Sequence, residues 1–544
     1  MPDFDIEQAL ADPGFTPRAE DVPNLLEWVA EGGARADLAE RALLRLGPTG
    51  GQAAALHARE APASARARLT RLVGRAASRA GGEDLAEFLF ERLRDADERT
   101  RRAAATALGK AHPQGAEAAL LEALKQEASP SVRSAVVEAL GKVGGADALS
   151  ALSRLESGLD ASRAGTKAKL IVSRTLARAT PGAIDPSREA PSSLPVTLRC
   201  RAGLEGLLAS EVSADLTPSL VTTGPGGPRV EATLKGRLDS LFEARMMLSF
   251  GFPLPEIELG DRELSAVVAD AITQPEAFTI FHHFTEGPVR YRIEWTGGGK
   301  RRAVVWRIAA AVAQRARLEQ RLINDPTESL WEVLLYEAEG KLRIELSPKL
   351  KDPRFTYRRG DVPGASHPTI AAALVHVGGV RPDDVVWDPF VGAGTELCER
   401  AIAGPFQLLI GSDRSSSVLP VAHENLISAG VHEKQITLLR GDATTLAPPG
   451  RPTLIITNPP LGRRVQRTAD LAPMLDRFFE NAAVRLAPGG RLVWFSPFPA
   501  RSEVVARRSG LDLWFTQDVD MGGFTARMQA FRRGPSHGPA RWHG

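Results

Sequence analysis

The chain has 544 residues, 43% apolar and 25% charged, and its formal net charge of +2 balances 68 basic against 66 acidic side chains. That length exceeds a single hydrophobic core and predicts about two to four domains. Near-neutral charge excludes a uniformly cationic nucleic-acid binder, so any such binding must come from local patches. Apolar runs stop far short of a membrane span. The acidic start, Met1-Pro2-Asp3-Phe4-Asp5, lacks the basic and apolar parts of a secretory signal, and the chain reads as cytoplasmic. Two cysteines, Cys200 and Cys398, make neither a disulfide framework nor, by themselves, a zinc site, and no metal is expected.

Residues 21–178 are rich in Ala, Leu and Arg and nearly free of strand signals. The run Arg99 to Lys110 (RTRRAAATALGK) aligns with Ser131 to Lys142 (SVRSAVVEALGK), each preceded by an amphipathic stretch, Leu85 to Leu93 and Ala116 to Leu124. Each unit therefore reads as two helices stopped by a glycine and stacked as a solenoid of about five units. The pattern resembles HEAT repeats; an irregular Ala-rich bundle is the alternative. The solenoid would carry no chemistry but could seat a protein partner.

Residues 179–195 contain Thr-Pro-Gly, Asp-Pro-Ser and Ala-Pro-Ser-Ser without periodicity, as a linker would. From 196 to 350 strands and helices mix in an α+β pattern. Strands are expected at Val196 to Arg199, Arg229 to Leu234 and Val289 to Trp295. Helices are expected at Gly203 to Val212, Leu238 to Leu248 and Ala303 to Ala313. A hairpin, Trp331 to Glu337 and Lys341 to Leu346, turns at Glu339-Gly340.

Residues 351–534 alternate regularly. Strands near Val385, Leu408, Ile436, Leu454 and Leu492, separated by helices near Glu396, Ser416, Leu471 and Arg501, predict a parallel doubly wound sheet. Two final strands, Leu511 to Asp518 and Phe524 to Phe531, predict a closing antiparallel hairpin. Residues 535–544 read as a flexible tail.

The chemistry lies on two turns of this last unit. Asp388-Pro389-Phe390-Val391-Gly392-Ala393-Gly394-Thr395 follows an apolar run and opens a helix, so its glycines admit a ligand to the backbone. The third glycine of a dinucleotide fingerprint is absent, and Glu396 and Glu399 would repel a diphosphate on that helix end. A cofactor without phosphate fits better, and S-adenosylmethionine, with its cationic sulfonium, suits acidic Asp388. Asp413, at the end of the second strand, is placed for ribose hydroxyls; Asp442 and Ala443, after the third, are placed for adenine.

Asn458-Pro459-Pro460-Leu461 follows the fourth strand, at the edge where ligands bind in open α/β sheets. A delocalised exocyclic amine is a poor nucleophile. The Asn458 side-chain oxygen and the Pro459 carbonyl, held by rigid prolines, can accept its two hydrogens and aim its lone pair at a methyl carbon.

These motifs resemble class I methyltransferases of exocyclic amines. The upstream segments Arg199 to Leu208, Gly226 to Leu234, Leu238 to Leu248 and Ile323-Asn324-Asp325-Pro326 resemble a THUMP RNA-binding module. Tyr357-Arg358-Arg359-Gly360 and His367 to Leu374 are similar to the entry into the catalytic domain of THUMP-containing guanine-N2 RNA methyltransferases. The resemblance implies a multidomain protein: an all-α HEAT-like solenoid, an α+β THUMP-like module, then an α/β Rossmann-like methyltransferase closed by its hairpin. It further implies catalysis through Asn458, Pro459, Pro460 and Leu461, with S-adenosylmethionine held by Asp388, Phe390, Gly392, Gly394, Thr395, Asp413, Asp442, Ala443 and Asn458. The implied substrate is structured RNA, transfer RNA before ribosomal RNA; the basic clusters Lys300-Arg301-Arg302 and Arg463-Arg464 could contact its phosphates.

One departure stands out. Leu461 occupies the place where the family stacks the target base on an aromatic ring, and Phe498 is a candidate substitute. Two competing readings remain: methylation of adenine N6 or of a protein glutamine amide, and a catalytically weakened RNA-binding scaffold.

Overall fold

The computed structural model describes residues 6–10, 12, 15–80, 83–155, 163–212, 215–222, 227–296, 301–315, 322–461 and 468–534. Helices fill the first third, from Val22–Glu31 through Glu98–Ala111, Ala116–Gln126 and Pro130–Val143 to Arg163–Ala179, around a core built mostly of Ala and Leu. The aligned glycines do not stop their helices. Gly109 lies inside Glu98–Ala111 and Gly141 inside Pro130–Val143. A Cβ on Gly109 would sit 2.8 Å from the Ala139 Cα, and one on Gly141 would sit 2.7 Å from the Ala168 Cα. Their repetition records close helix crossings, which only a residue without a side chain permits.

The expected linker is folded against the module that follows. Ala183–Ile184 pairs with Thr285–Glu286, and the amides of Asp185 and Ala190 donate to the carbonyls of Phe284 and Gly236. The module is a mixed nine-stranded sheet. One half runs through Leu216–Thr222, Arg229–Leu234, Leu194–Arg199 and Ser249–Pro253; the other holds the hairpin Trp331–Ala338 and Lys341–Pro348 beside Val289–Trp295 and Leu322–Asn324. Glu339 and Gly340 both take positive φ, as a tight hairpin turn of this hand requires. The helices Leu264–Ile272 and Pro275–Phe284 have no counterpart in the sequence reading.

The helix expected over Leu238 to Leu248 is instead a 3-10 turn, Leu238–Glu243, that leads into an extended strand. The buried Arg354 guanidinium donates to the carbonyls of Ala244 (2.6 Å) and Met247 (2.8 Å), and the Leu248 amide goes to the Arg199 carbonyl (2.7 Å). Those backbone groups are therefore withdrawn from helical bonding.

The last unit contains strands β1 Val385–Asp388, β2 Leu408–Asp413, β3 Ile436–Arg440, β4 Leu454–Thr457, β5 Arg491–Ser496, β6 Leu511–Asp520 and β7 Thr525–Arg533. Its helices are α1 Pro368–Gly378, α2 Thr395–Ile402, α3 Leu419–Ser428, α4 Thr468–Arg485 and α5 Pro499–Arg508. The sheet order is β3-β2-β1-β4-β5-β7-β6, parallel up to β5, with β7 antiparallel to both β5 and β6. The strand order reverses between β1 and β4, which places the ends of β1, β2 and β4 around one crevice. None of the helices in the described residues is long and apolar enough to cross a membrane.

Candidate active site

The loops after β1, β2, β3 and β4 converge on a cavity of about 780 Å³, within the range of small-molecule sites. Phe390, Gly392, Thr395, Asp413, Asp442, Ala443, Asn458, Pro459, Pro460 and Leu461, ten of the residues singled out in the sequence, line it. Two others support it from behind. Asp388 lies beneath the floor, fully buried, where Oδ1 accepts from the Thr457 hydroxyl (2.6 Å) and the Phe390 amide (3.0 Å). It thereby ties the end of β4 to the loop after β1. Gly394 has φ 78°, begins α2, and faces Ala422 of α3 so closely that a Cβ would stand 3.2 Å from the Ala422 Cβ.

The second strand is tied in too. Asp413 accepts from the Gly392 amide (3.3 Å) and the Ser415 amide (2.9 Å). Asp442 accepts from the Thr444 amide and hydroxyl, and those bonds hold its carboxyl below the usual carboxylate range. The Phe390 ring meets Phe478 of α4 edge-on, with centroids 5.2 Å apart.

Two polar clusters were not foreseen. Asn425 of α3 is buried with its amide fully used: Nδ2 donates to the carbonyls of Gly360 and Ala393, and Oδ1 accepts from the amides of Arg359 and Gly360. It fastens the glycine loop to the segment entering the domain. That segment also brings Ser366 and His367 to the cavity wall. Ser366 Oγ accepts from Asn458 Nδ2 (2.9 Å) and donates to Glu396 Oε1. Burial together with the cationic neighbours Arg201, Arg358 and Arg354 lowers the His367 pKa to about 4, so this ring is neutral near pH 7.

Burial pushes two of the carboxyls in this region upward. Asp388 is raised well above its ordinary value by burial and then by the nearby charge of Glu396, and Glu396 is itself raised by burial. Among the described residues, Asp388 Oδ2 and Asn458 Oδ1 are buried without a hydrogen-bond partner. Unpaired buried acceptors beside a cavity are groups waiting for a donor or a cation.

The aromatic inventory differs from expectation. Phe498 lies outside the cavity, against Leu475, Phe479 and Trp494. Phe524, at the tip of the β6–β7 hairpin, lines the cavity with Met521, Gly522 and Gly523. Only its place after a Gly-Gly turn could have signalled it. Arg301 is committed within the module, with Nη1 on Glu337 (2.7 Å) and its guanidinium 5.4 Å from the Trp295 ring centroid. Arg302 is exposed at the start of Arg302–Arg315. Lys300, Arg463, Arg464 and the tail 535–544 lie outside the described residues.

Comparison with known proteins agrees with this geometry. Residues 356–511 match the RMKL-like methyltransferase domain, and residues 86–166 match HEAT repeats. The chain is 31% identical over 193 residues to a tRNA (guanine(6)-N2)-methyltransferase of Thermus thermophilus, covering 35% of this chain and 56% of that relative. It is 29% identical over 136 residues to a tRNA (guanine(10)-N2)-dimethyltransferase of Methanothermobacter thermautotrophicus, covering 25% and 39%. It is 35% identical over 108 residues to a U6 snRNA (guanine-N(2))-methyltransferase of Bos taurus, covering 20% and 21%. The chain thus spans about half or less of the length of these curated relatives. The crystal structure of TrmN from Thermus thermophilus superimposes with a TM-score of 0.50 at 22% identity, covering 62% of this chain and 99% of that one, a likeness of fold.

Proposed function

We propose that this chain, whose residues 356–511 carry an RMKL-like methyltransferase domain, transfers a methyl group from S-adenosylmethionine to the exocyclic amine of a guanine in structured RNA, with transfer RNA as the first choice. One observation carries the reading. The glycine loop and the Asn-Pro-Pro turn share one cavity, and the Asn458 Oδ1 there is a buried acceptor without a partner among the described residues. The relatives named above as guanine-N2 methyltransferases of tRNA and U6 snRNA support the same chemistry and the same class of acceptor.

The site suits the cofactor. Asp413 would hold the ribose hydroxyls, Asp442 and Ala443 the adenine edge, and the Gly392 backbone admits the ligand because no side chain intervenes. Bound there, S-adenosylmethionine supplies an electrophilic methyl carbon on a sulfonium. The buried carboxyl of Asp388 complements such a charge. Asn458 Oδ1 and the Pro459 carbonyl accept the hydrogens of the incoming amine and orient its lone pair. With no strong base within this pair, rate enhancement rests on alignment and fixed dipoles. Arg302, with Lys300, Arg463 and Arg464, would meet the RNA backbone; Arg301 would contribute less, since Glu337 already answers its charge. The HEAT solenoid is free of this chemistry and is assigned to holding the module or a protein partner, in the cytoplasm.

The test uses the full chain with methyl-labelled S-adenosylmethionine and tRNA transcripts, and nucleosides are read by mass spectrometry. N2-methylguanosine is the expected product. Asn458→Ala should lower kcat by about 10²-fold or more while the affinity for S-adenosylhomocysteine changes by less than a few-fold. Methyladenosine or methylglutamine as the product would overturn the guanine assignment; folded protein that leaves every RNA unmodified would overturn the enzyme.

A further inference from the structure

Asparagine presents the same outline to a neighbour whichever way its amide is turned, yet only one orientation can receive an amine hydrogen. The structure supplies a chemical reason for that orientation. The Ser366 hydroxyl has one hydrogen, and it is directed at Glu396 Oε1. A carboxylate can only accept, so Ser366 Oγ is left as an acceptor toward Asn458. The atom of Asn458 that touches it, at 2.9 Å, must therefore be the donor Nδ2. Oδ1 is then turned away, buried and without a partner among the described residues. All three residues line the same cavity, although they come from the entry segment, α2 and the turn after β4.

We infer that Ser366 and Glu396 are positioning residues that set the Asn458 amide with its oxygen toward the acceptor amine. The inference rests on the reading above for what the oxygen receives, though not for the hydrogen-bond chain itself. Neither residue touches a reacting atom; they act through Asn458. The groups facing Glu396 are Asp388 at the end of β1, Glu399 on its own helix, Arg358 and Ser366 on the entry segment. Burial raises the Glu396 carboxyl, so the chain of bonds has this direction on the alkaline side of that ionisation. A protonated Glu396 would donate to Ser366, whose own hydrogen would then seek Asn458 Oδ1 and turn the amide over.

Two measurements on the full chain test this. First, asparagine side chains are labelled with ¹⁵N; the chain has five asparagines, and the Asn458 signal is identified by its loss in Asn458→Asp. Exchange of its amide hydrogens with solvent should accelerate about tenfold or more in Ser366→Ala. An unchanged rate overturns the inference whether or not any RNA is methylated, which separates its failure from failure of the functional reading. Second, with methylation established, Ser366→Ala should lower kcat about 10- to 100-fold, with KM for RNA and affinity for S-adenosylhomocysteine within about threefold of wild type. Ser366→Thr, which keeps the hydroxyl, should recover most of the loss. Glu396→Gln, which keeps the shape without the charge, should lower kcat and abolish its fall toward acid pH. A Ser366→Ala kcat within twofold of wild type, or no recovery in Ser366→Thr, would refute the role.

Discussion

Asp388 is a carboxylate with half its acceptors satisfied. Oδ1 is bonded to Thr457 and the Phe390 amide, Oδ2 has no partner among the described residues, and burial with the charge of Glu396 raises its pKa. A carboxyl whose folded-state value exceeds its unfolded value favours folding below the unfolded pKa, and that contribution is lost as pH rises through the folded one. Asp388→Asn keeps an oxygen for Thr457 and the Phe390 amide and removes the buried charge. At pH 8 the variant should therefore melt a few degrees above wild type, the advantage should vanish near pH 4, and binding of S-adenosylmethionine should weaken at least tenfold. A melting temperature below wild type at pH 8 would contradict this. The role of Asp388 was half legible in the sequence. An acidic residue ending an apolar strand marks the loop, but only the fold reveals that it braces the floor of the cavity. Asn425 and Ser366 were not legible at all, because a single Asn on a helix and a Ser in a loop carry no spacing signal; their partners lie 65 and 92 residues away along the chain.

At the scale of elements, periodicity exposed the strands of the final unit and its helices other than Pro368–Gly378, because a buried parallel sheet needs continuous apolar runs. It failed over Leu238 to Leu248, where Arg354, more than a hundred residues later, takes two carbonyls away from a helix. The closing hairpin was foreseen as an element, yet its turn does more than close the sheet. Phe524 faces the cavity that Leu461 lines without a π surface. Stacking on an aromatic ring is worth about 1–3 kcal/mol per base. Phe524→Ala should accordingly raise KM for RNA about 10-fold with little change in affinity for S-adenosylhomocysteine, and the double variant Phe524→Ala, Leu461→Phe should regain part of the loss. Steady-state kinetics with a tRNA transcript would decide; equal KM values in all three proteins would leave the ring no part in base binding.

For the whole molecule, the question is what joins three units into one body. The last solenoid helix, Arg163–Ala179, donates from Arg178 to both oxygens of Asp325 (2.6 Å each), and from Arg174 to the Asn324 carbonyl (2.9 Å). Burial opposes ionisation of Asp325, but hydrogen bonds from Arg178, Glu328 and Thr327 outweigh it and lower its pKa to about 2. A depressed carboxyl stabilises above its unfolded pKa, and that contribution fades as pH falls toward about 2. Asp325→Ala should loosen this joint: amide hydrogen exchange in Arg163–Ala179, taken relative to the intrinsic rate at each pH, should rise at neutral pH, whereas wild type should show such a rise only toward pH 3. Unchanged exchange would mean that the Arg178–Asp325 pair is dispensable and that the remaining contacts, the Arg174 and Arg290 bonds to backbone carbonyls among them, hold the solenoid. The repeat pattern announced a solenoid, but nothing in it announced where the solenoid would be fastened, since Asp325 sits in a short loop without periodicity.

The contact between the module and the β6–β7 hairpin has a mechanical consequence. The Asp520 amide bonds to the Ala202 carbonyl (2.9 Å), and a methyl on Gly203 would fall 1.8 Å from the Asp518 carbonyl oxygen, so two backbones touch there with no side chain between them. The hairpin that carries Phe524 to the cavity is thus gripped by the turn that opens the module's first helix, Glu205–Glu211. A force on the module is therefore passed, backbone to backbone, to the rim of the cavity.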